Sequence, residues 1–121
     1  WVRSLALSND INWHHIVGVY NGNGATNYDK AKIYFDGVLL SSQAQLGTTS
    51  SSISTTGNFY IGFRGAYSSG LIDDVRIYNA ALSSSQIKQN YIAGLNSLLA
   101  SNSISEKEYN ERINSLALHD D

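Results

Sequence analysis

Strand-like apolar stretches separated by polar turns fill residues 1 to 82, and apolar residues then recur at helical spacing to about residue 118. Val2 to Leu7 alternates and predicts a strand. From Trp13 to Tyr20, Trp13, His15, Val17 and Val19 share one face and His14, Ile16, Gly18 and Tyr20 the other. Both faces are largely apolar, which predicts a central strand. A polar loop, Asn21 to Asp29, leads into Ala31 to Phe35. Asp36-Gly37 then sits between two apolar runs, the strongest hairpin signal in the chain, and Val38 to Leu40 returns. Residues 41 to 57 are Ser, Thr, Gln and Gly with isolated Leu46 and Ile53, a long loop with one short strand. Phe59 to Phe63 and Leu71 to Tyr78 are the last strands expected, separated by a loop from Arg64 to Gly70.

After Ser83 the period changes. Ile87, Tyr91, Leu95 and Leu98 form a helical stripe that Ile92 and Leu99 widen. Ser83 and Gln86 have capping-box spacing, Ser105 and Glu108 repeat it, and Asn102 breaks the stripe between them. The result is a helical hairpin over about residues 84 to 118. Two such helices cannot bury both stripes alone, so they must pack on the strands before them or on another chain.

Four stretches carry a resemblance. They are Trp13-His14-His15-Ile16-Val17 through Tyr20-Asn21-Gly22, then Ala31-Lys32-Ile33-Tyr34-Phe35-Asp36-Gly37-Val38-Leu39, then Thr56-Gly57-Asn58-Phe59-Tyr60-Ile61-Gly62, and last GLIDDVRIYNAALS from Gly70 to Ser83. In this order they resemble the laminin-G-like domains of the concanavalin A-like lectin/glucanase superfamily. The resemblance implies a mainly β fold: an antiparallel jelly-roll-type β-sandwich, or its C-terminal portion, over residues 1 to 82, followed by the α-helical hairpin over residues 83 to 121. Complete members carry several more strands before the Trp-His strand. The chain is therefore expected to be a fragment, or to be completed by another chain or a missing N-terminal segment, or to be a reduced version of the fold. Resemblance also implies a structural Ca²⁺, which many members hold partly through the aspartate matching Asp73 and partly through backbone carbonyls of early strands.

Charge changes the picture by exclusion. A net charge of −2 with only 15% charged residues provides no basic stripe for nucleic acid. The chain lacks cysteine, so neither disulfides nor thiol chemistry is available to it. No apolar run approaches the roughly 18 residues of a membrane helix. A texture of Ser, Thr, Asn, Gly and Tyr suits an extracellular or cell-surface β-domain; a targeting segment for export would lie outside this sequence.

Candidate chemistry is sparse. On a strand Asp73 faces inward with Leu71, Val75 and Ile77, while Asp74 lies with Ile72, Arg76 and Tyr78. An inward carboxylate is costly unless compensated. Asp73 therefore either accepts backbone N–H groups from a loop or, with Asp74, ligates a hard cation. Of the two adjacent histidines, His15 is expected hydrogen-bonded in the core and His14 on the opposite sheet face. The superfamily's glycan-cleaving members use paired carboxylates on one strand, and nothing like that pair occurs here. All three glutamates, Glu106, Glu108 and Glu111, fall in the second tail helix, so no catalysis is expected. Sugar binding needs exposed aromatics with polar neighbours, for which Tyr67, Tyr28 and Arg64 are the candidates, with Tyr34 and Trp1 behind them. The function expected is a non-catalytic extracellular recognition or adhesion module for glycan or protein ligands. The alternative is a structural subunit of a pilus-like filament or surface layer, with sandwich and tail making assembly contacts.

Overall fold

A computed structural model describes residues 2–4, 10–40, 43–45, 50–53, 56–63 and 65–119. At its centre is an antiparallel meander of β2 (Ile16–Tyr20), β3 (Ala31–Phe35) and β4 (Val38–Leu39). Ile16 faces Phe35 at one end of the β2–β3 ladder and Tyr20 faces Ala31 at the other. The expected hairpin forms: Asp36 and Gly37 adopt φ values of 50° and 81°, the left-handed pair that two-residue hairpins require. A second, two-stranded sheet pairs β1 (Val2–Ser4) with β5 (Gln43–Gln45), the one short strand of the polar stretch. The loop before β3 contains α1 (Asn27–Lys30), a single turn that composition did not indicate. Its cap is local: the Thr26 hydroxyl accepts from Asp29 N–H, and the Asp29 carboxylate accepts from Thr26 N–H.

The helical hairpin consists of α2 (Ser84–Ala100) and α3 (Glu106–Ala117). Ser83 closes a full capping box, with its hydroxyl accepting from Gln86 N–H at 3.2 Å and Gln86 Oε1 accepting from Ser83 N–H at 2.9 Å. Only half of the box expected at α3 forms. Ser105 Oγ accepts from Glu108 N–H, but the Glu108 carboxylate holds Arg112 one turn on. Asn102, at φ 56°, ends α2 in the left-handed conformation that Asn tolerates.

Packing places the core at the helices. Tyr91, Leu95, Ile104 and Leu116 are buried together, and Val38 from β4 packs against them beside Leu98, Tyr109 and Ile113. Gly37 is the point of closest approach. A Cβ built there would lie 3.0 Å from Leu116 Cδ1 and 3.1 Å from Tyr91 Cδ1. Of the two places open to the helical stripe, the strands before it are the one it occupies.

Two expectations are corrected. Phe59–Phe63 and Leu71–Tyr78 form no strands; among the described residues, the first contributes only the single bridge between Phe63 and Tyr67, and the second pairs with nothing. A strand needs a neighbour's N–H and C=O groups. Here the meander ends at the two-residue β4, and Asp74 at φ 51° interrupts the extended run. A full jelly roll is accordingly not present among the described elements.

Candidate functional site

Three aromatic rings line up on the loop between Asn58 and Tyr67. Tyr60 and Phe63 have centroids 5.5 Å apart, and Phe63 and Tyr67 are 4.9 Å apart, all tilted rather than stacked. Two glycines at positive φ, Gly62 (74°) and Gly65 (76°), let the chain reverse, and Ser68 N–H donates to Gly62 C=O to close the reversal. That fold-back is what brings Tyr67 beside Phe63. Tyr67 is 87% exposed, Tyr60 58% and Phe63 37%, and Asn58 Nδ2 donates to the Tyr60 hydroxyl at 3.0 Å. The arrangement offers apolar ring faces with an amide and hydroxyls at the rim.

Of the candidates expected for binding, Tyr67 stands in this row. Tyr28 is exposed on α1, and no described contact joins it to the row. Tyr34 is buried in β3 and out of contention, while Arg64 and Trp1 lie outside the described residues. The period-two pattern places Tyr60 and Phe63 on a strand and gives no sign of the row. The signal available was Gly62 and Gly65 flanking Phe63, which permit a turn where period-two alternation suggested a strand.

A polar brace ties the strand-to-helix seam on a different set of residues. His14 Nδ1 lies 2.8 Å from Asp36 Oδ2 and its Nε2 lies 2.9 Å from Asp10 Oδ1. Only an imidazolium donates from both ring nitrogens, so this geometry belongs to protonated His14. Burial works against that charge, but the hydrogen bonds to Asp36 and Asp10 and their negative charge outweigh it and raise the His14 pKa. Asp36 Oδ1 accepts from His15 N–H at 2.9 Å, and the His14 ring stacks on Phe35. From α3, Arg112 donates to the Trp13 carbonyl at 2.7 Å and pairs with Glu108 at 2.7 Å. An open cleft of ≈ 540 Å³ runs between the two sides, lined by Asn12, His14, Asp36, Ser105, Glu108 and Arg112 among others. Its carboxylates and cations are committed to one another, which suits a brace better than a ligand site.

His15 lies against the core, as expected, but is not hydrogen-bonded through its ring among the described residues. His15 has a buried Nδ1 with no partner, and its ring stacks on Tyr91 at 5.9 Å. Burial lowers its pKa. His14 is the one that is hydrogen-bonded through its ring.

Asp73 and Asp74 do not lie as expected. Every residue from Leu71 to Tyr78 is exposed, so Asp73 does not face a core. Asp73 Oδ1 accepts from Asp74 N–H at 2.8 Å, and both Asp74 oxygens accept from Arg76 at 3.0 Å. Among the described residues, no three of His, Cys, Asp or Glu stand together as metal ligands. A hard cation of the Ca²⁺ type takes six to eight oxygens. Among the described residues these two aspartates supply fewer oxygens than that, and Asp74 is engaged with a guanidinium.

Residues 1–88 match the family model described as the Concanavalin A-like lectin/glucanases superfamily, of laminin-G type. The chain belongs to that superfamily. No curated protein and no solved structure matched the chain. Within this laminin-G-like chain, the aromatic row, His14, Asp36 and both aspartates fall inside the matched segment. Arg112 and Glu108 fall beyond it, on α3. The superfamily implies a β-sandwich and points to a ligand-binding module, and no helix among the described residues is long and apolar enough to cross a membrane.

Proposed function

We propose that this laminin-G-like chain is a non-catalytic recognition module, working outside the cell or at its surface, that binds glycan ligands through the Tyr60–Phe63–Tyr67 row. We also propose that the complete sandwich is of jelly-roll type. The observation that carries the reading is the row itself: three adjacent rings, of which the outermost is 87% exposed. Pyranose rings present C–H groups on their faces and hydroxyls around their edges. Tilted aromatic rings meet the faces through weak C–H contacts, and Asn58 with the two tyrosine hydroxyls meets the edges.

A panel of immobilised neutral and acidic oligosaccharides tests it. Tyr67→Ala should weaken binding to the sugars retained by the wild-type chain by about tenfold or more, equivalent to about 1.4 kcal/mol. Equal retention by the variant, or retention of no sugar at all by the wild-type chain, would dismiss the glycan reading. Protein ligands would then be the remaining class for this module.

The exposed run Leu71–Tyr78 favours a second reading, a structural subunit of a pilus-like filament or surface layer. Its helical tail does not favour it, because the tail's apolar stripe is already covered by the β3–β4 turn. An open-ended polymer in light scattering would support this second reading, and a particle of fixed small mass would end it.

A further inference from the structure

Asn21-Gly22-Asn23-Gly24, the loop that leaves β2, holds the two asparagines of the chain that are followed by glycine. A glycine after asparagine has no Cβ to shield its amide nitrogen, so that nitrogen can reach the asparagine Cγ. The two dipeptides are alike in sequence and differ in their hydrogen bonds. Gly24 N–H donates to the Asn21 carbonyl at 3.0 Å, which holds it in the turn. Gly22 N–H donates to no group among the described residues. Asn21 Oδ1 accepts from Asn23 N–H at 3.1 Å, a bond that closes the side chain over the Gly22 amide. We propose that Asn21 is a site of spontaneous deamidation, selected over Asn23 by the folded loop. This inference goes beyond ligand recognition and does not depend on it.

The chemistry needs only water. The Gly22 nitrogen gives its proton to hydroxide and bonds to Asn21 Cγ. The Cγ–Nδ2 bond then breaks, Nδ2 takes a proton from water and leaves as ammonia, and a succinimide ring remains. Between these steps negative charge gathers on Asn21 Oδ1. Asn23 N–H already points at that oxygen, a fixed donor for the oxyanion. At Asn23 the corresponding nucleophile must first give up its bond to the Asn21 carbonyl. Water finally opens the ring, at Cγ to leave aspartate or at the main-chain carbonyl to leave isoaspartate. The sum is one water consumed and one ammonia released, with nothing oxidised or reduced.

Either product adds a negative charge to a chain of net charge −2. Isoaspartate does more, because the main chain then runs through Cβ and Cγ. Asn21 N–H donates to the Lys30 carbonyl at 2.7 Å, immediately beyond the Tyr20–Ala31 end of the β2–β3 ladder. Gly22 lies against the Ser51 carbonyl so closely that a Cβ built on it would collide with that oxygen. The Tyr20 hydroxyl donates to the Ser50 carbonyl at 2.6 Å on the same side. A longer backbone at residue 21 moves Gly22 against Ser51. Conversion therefore loosens this end of the meander and its tie to residues 50–53, and the change runs one way.

Peptide mapping by mass spectrometry, on the full chain held at mildly alkaline pH, reads the outcome. Fragmentation that separates aspartate from isoaspartate should find conversion at Asn21 at least about fivefold faster than at Asn23, the effect of one hydrogen bond on the nucleophile. In urea the two rates should become nearly equal, because only the folded loop tells the sites apart. No conversion at Asn21, Asn23 converting first or at the same rate in the folded chain, or a ratio that persists unchanged in urea would each overturn the proposal. Hydrogen exchange over residues 20–31 should be faster in the isoaspartate form than in the unconverted chain. Unchanged exchange there would overturn the loosening of the ladder.

Discussion

His14 and His15 are neighbours in sequence and opposites in chemistry. His14 is held charged between two carboxylates, whereas His15 buries a ring nitrogen without a partner. The linkage signs therefore oppose. His14, with its folded-state pKa raised, contributes stability that is fully present below its ordinary value of 6.5 and is lost as pH rises through the raised value. His15, with its pKa lowered, contributes stability present above 6.5 and lost as pH falls through the lowered value. In an NMR titration the two rings should move apart, His14 titrating above 6.5 and His15 below it. His14→Gln should remove the loss of stability on the alkaline side and leave the acid-side loss in place. Identical titration of both rings would mean that the Asp10–His14–Asp36 brace is absent in solution. At this scale the sequence was only partly legible: it offered two histidines on divergent faces, but not that Asp36, beyond a loop and a strand, would choose His14.

At the scale of elements, the Asp36-Gly37 turn was legible because its signal is entirely local. Two residues must take positive φ, and Asp-Gly does so readily. What was not local is the second demand on Gly37, whose missing Cβ admits Tyr91 and Leu116. Gly37→Ala meets both costs together, the left-handed backbone and the overpacking, and should destabilise the chain by about 2–4 kcal/mol in chemical denaturation. A loss under about 1 kcal/mol would show that the helices do not close on the turn. The caps of α2 and α3 were legible for the same local reason, within the limit that Glu108 found Arg112 a stronger partner than a backbone N–H. Leu71–Tyr78 was not. Its alternation records a preference for extended, half-buried backbone, and that preference becomes a strand only when another strand supplies the ladder.

At the scale of the whole molecule, the layers differ from a closed sandwich: a short meander, a two-stranded sheet beside it, and a helical hairpin whose stripe closes over the β3–β4 turn. Asp73 and Asp74 stand outside that packing, one bonded to its neighbour's N–H and the other to Arg76. Stripping divalent ions with a chelator and adding back millimolar Ca²⁺ should therefore leave the melting temperature unchanged. A rise with Ca²⁺ that Asp73→Asn abolishes would mean that the run folds inward with oxygens contributed from elsewhere. Everything the sequence determined by itself rests on interactions spanning a few residues: the positive-φ turn, the serine caps, the helical stripe, and four ordered stretches sufficient for membership of the superfamily. What only the tertiary structure decided rests on groups far apart in the chain. Gly37 had to meet Tyr91 and Leu116, Arg112 had to reach the Trp13 carbonyl, and Tyr67 had to fold back on Phe63. Local patterning fixes the conformation a segment prefers. Which surface that segment then covers is set by the three-dimensional position of its partners, and a period of two or of 3.6 carries no record of that.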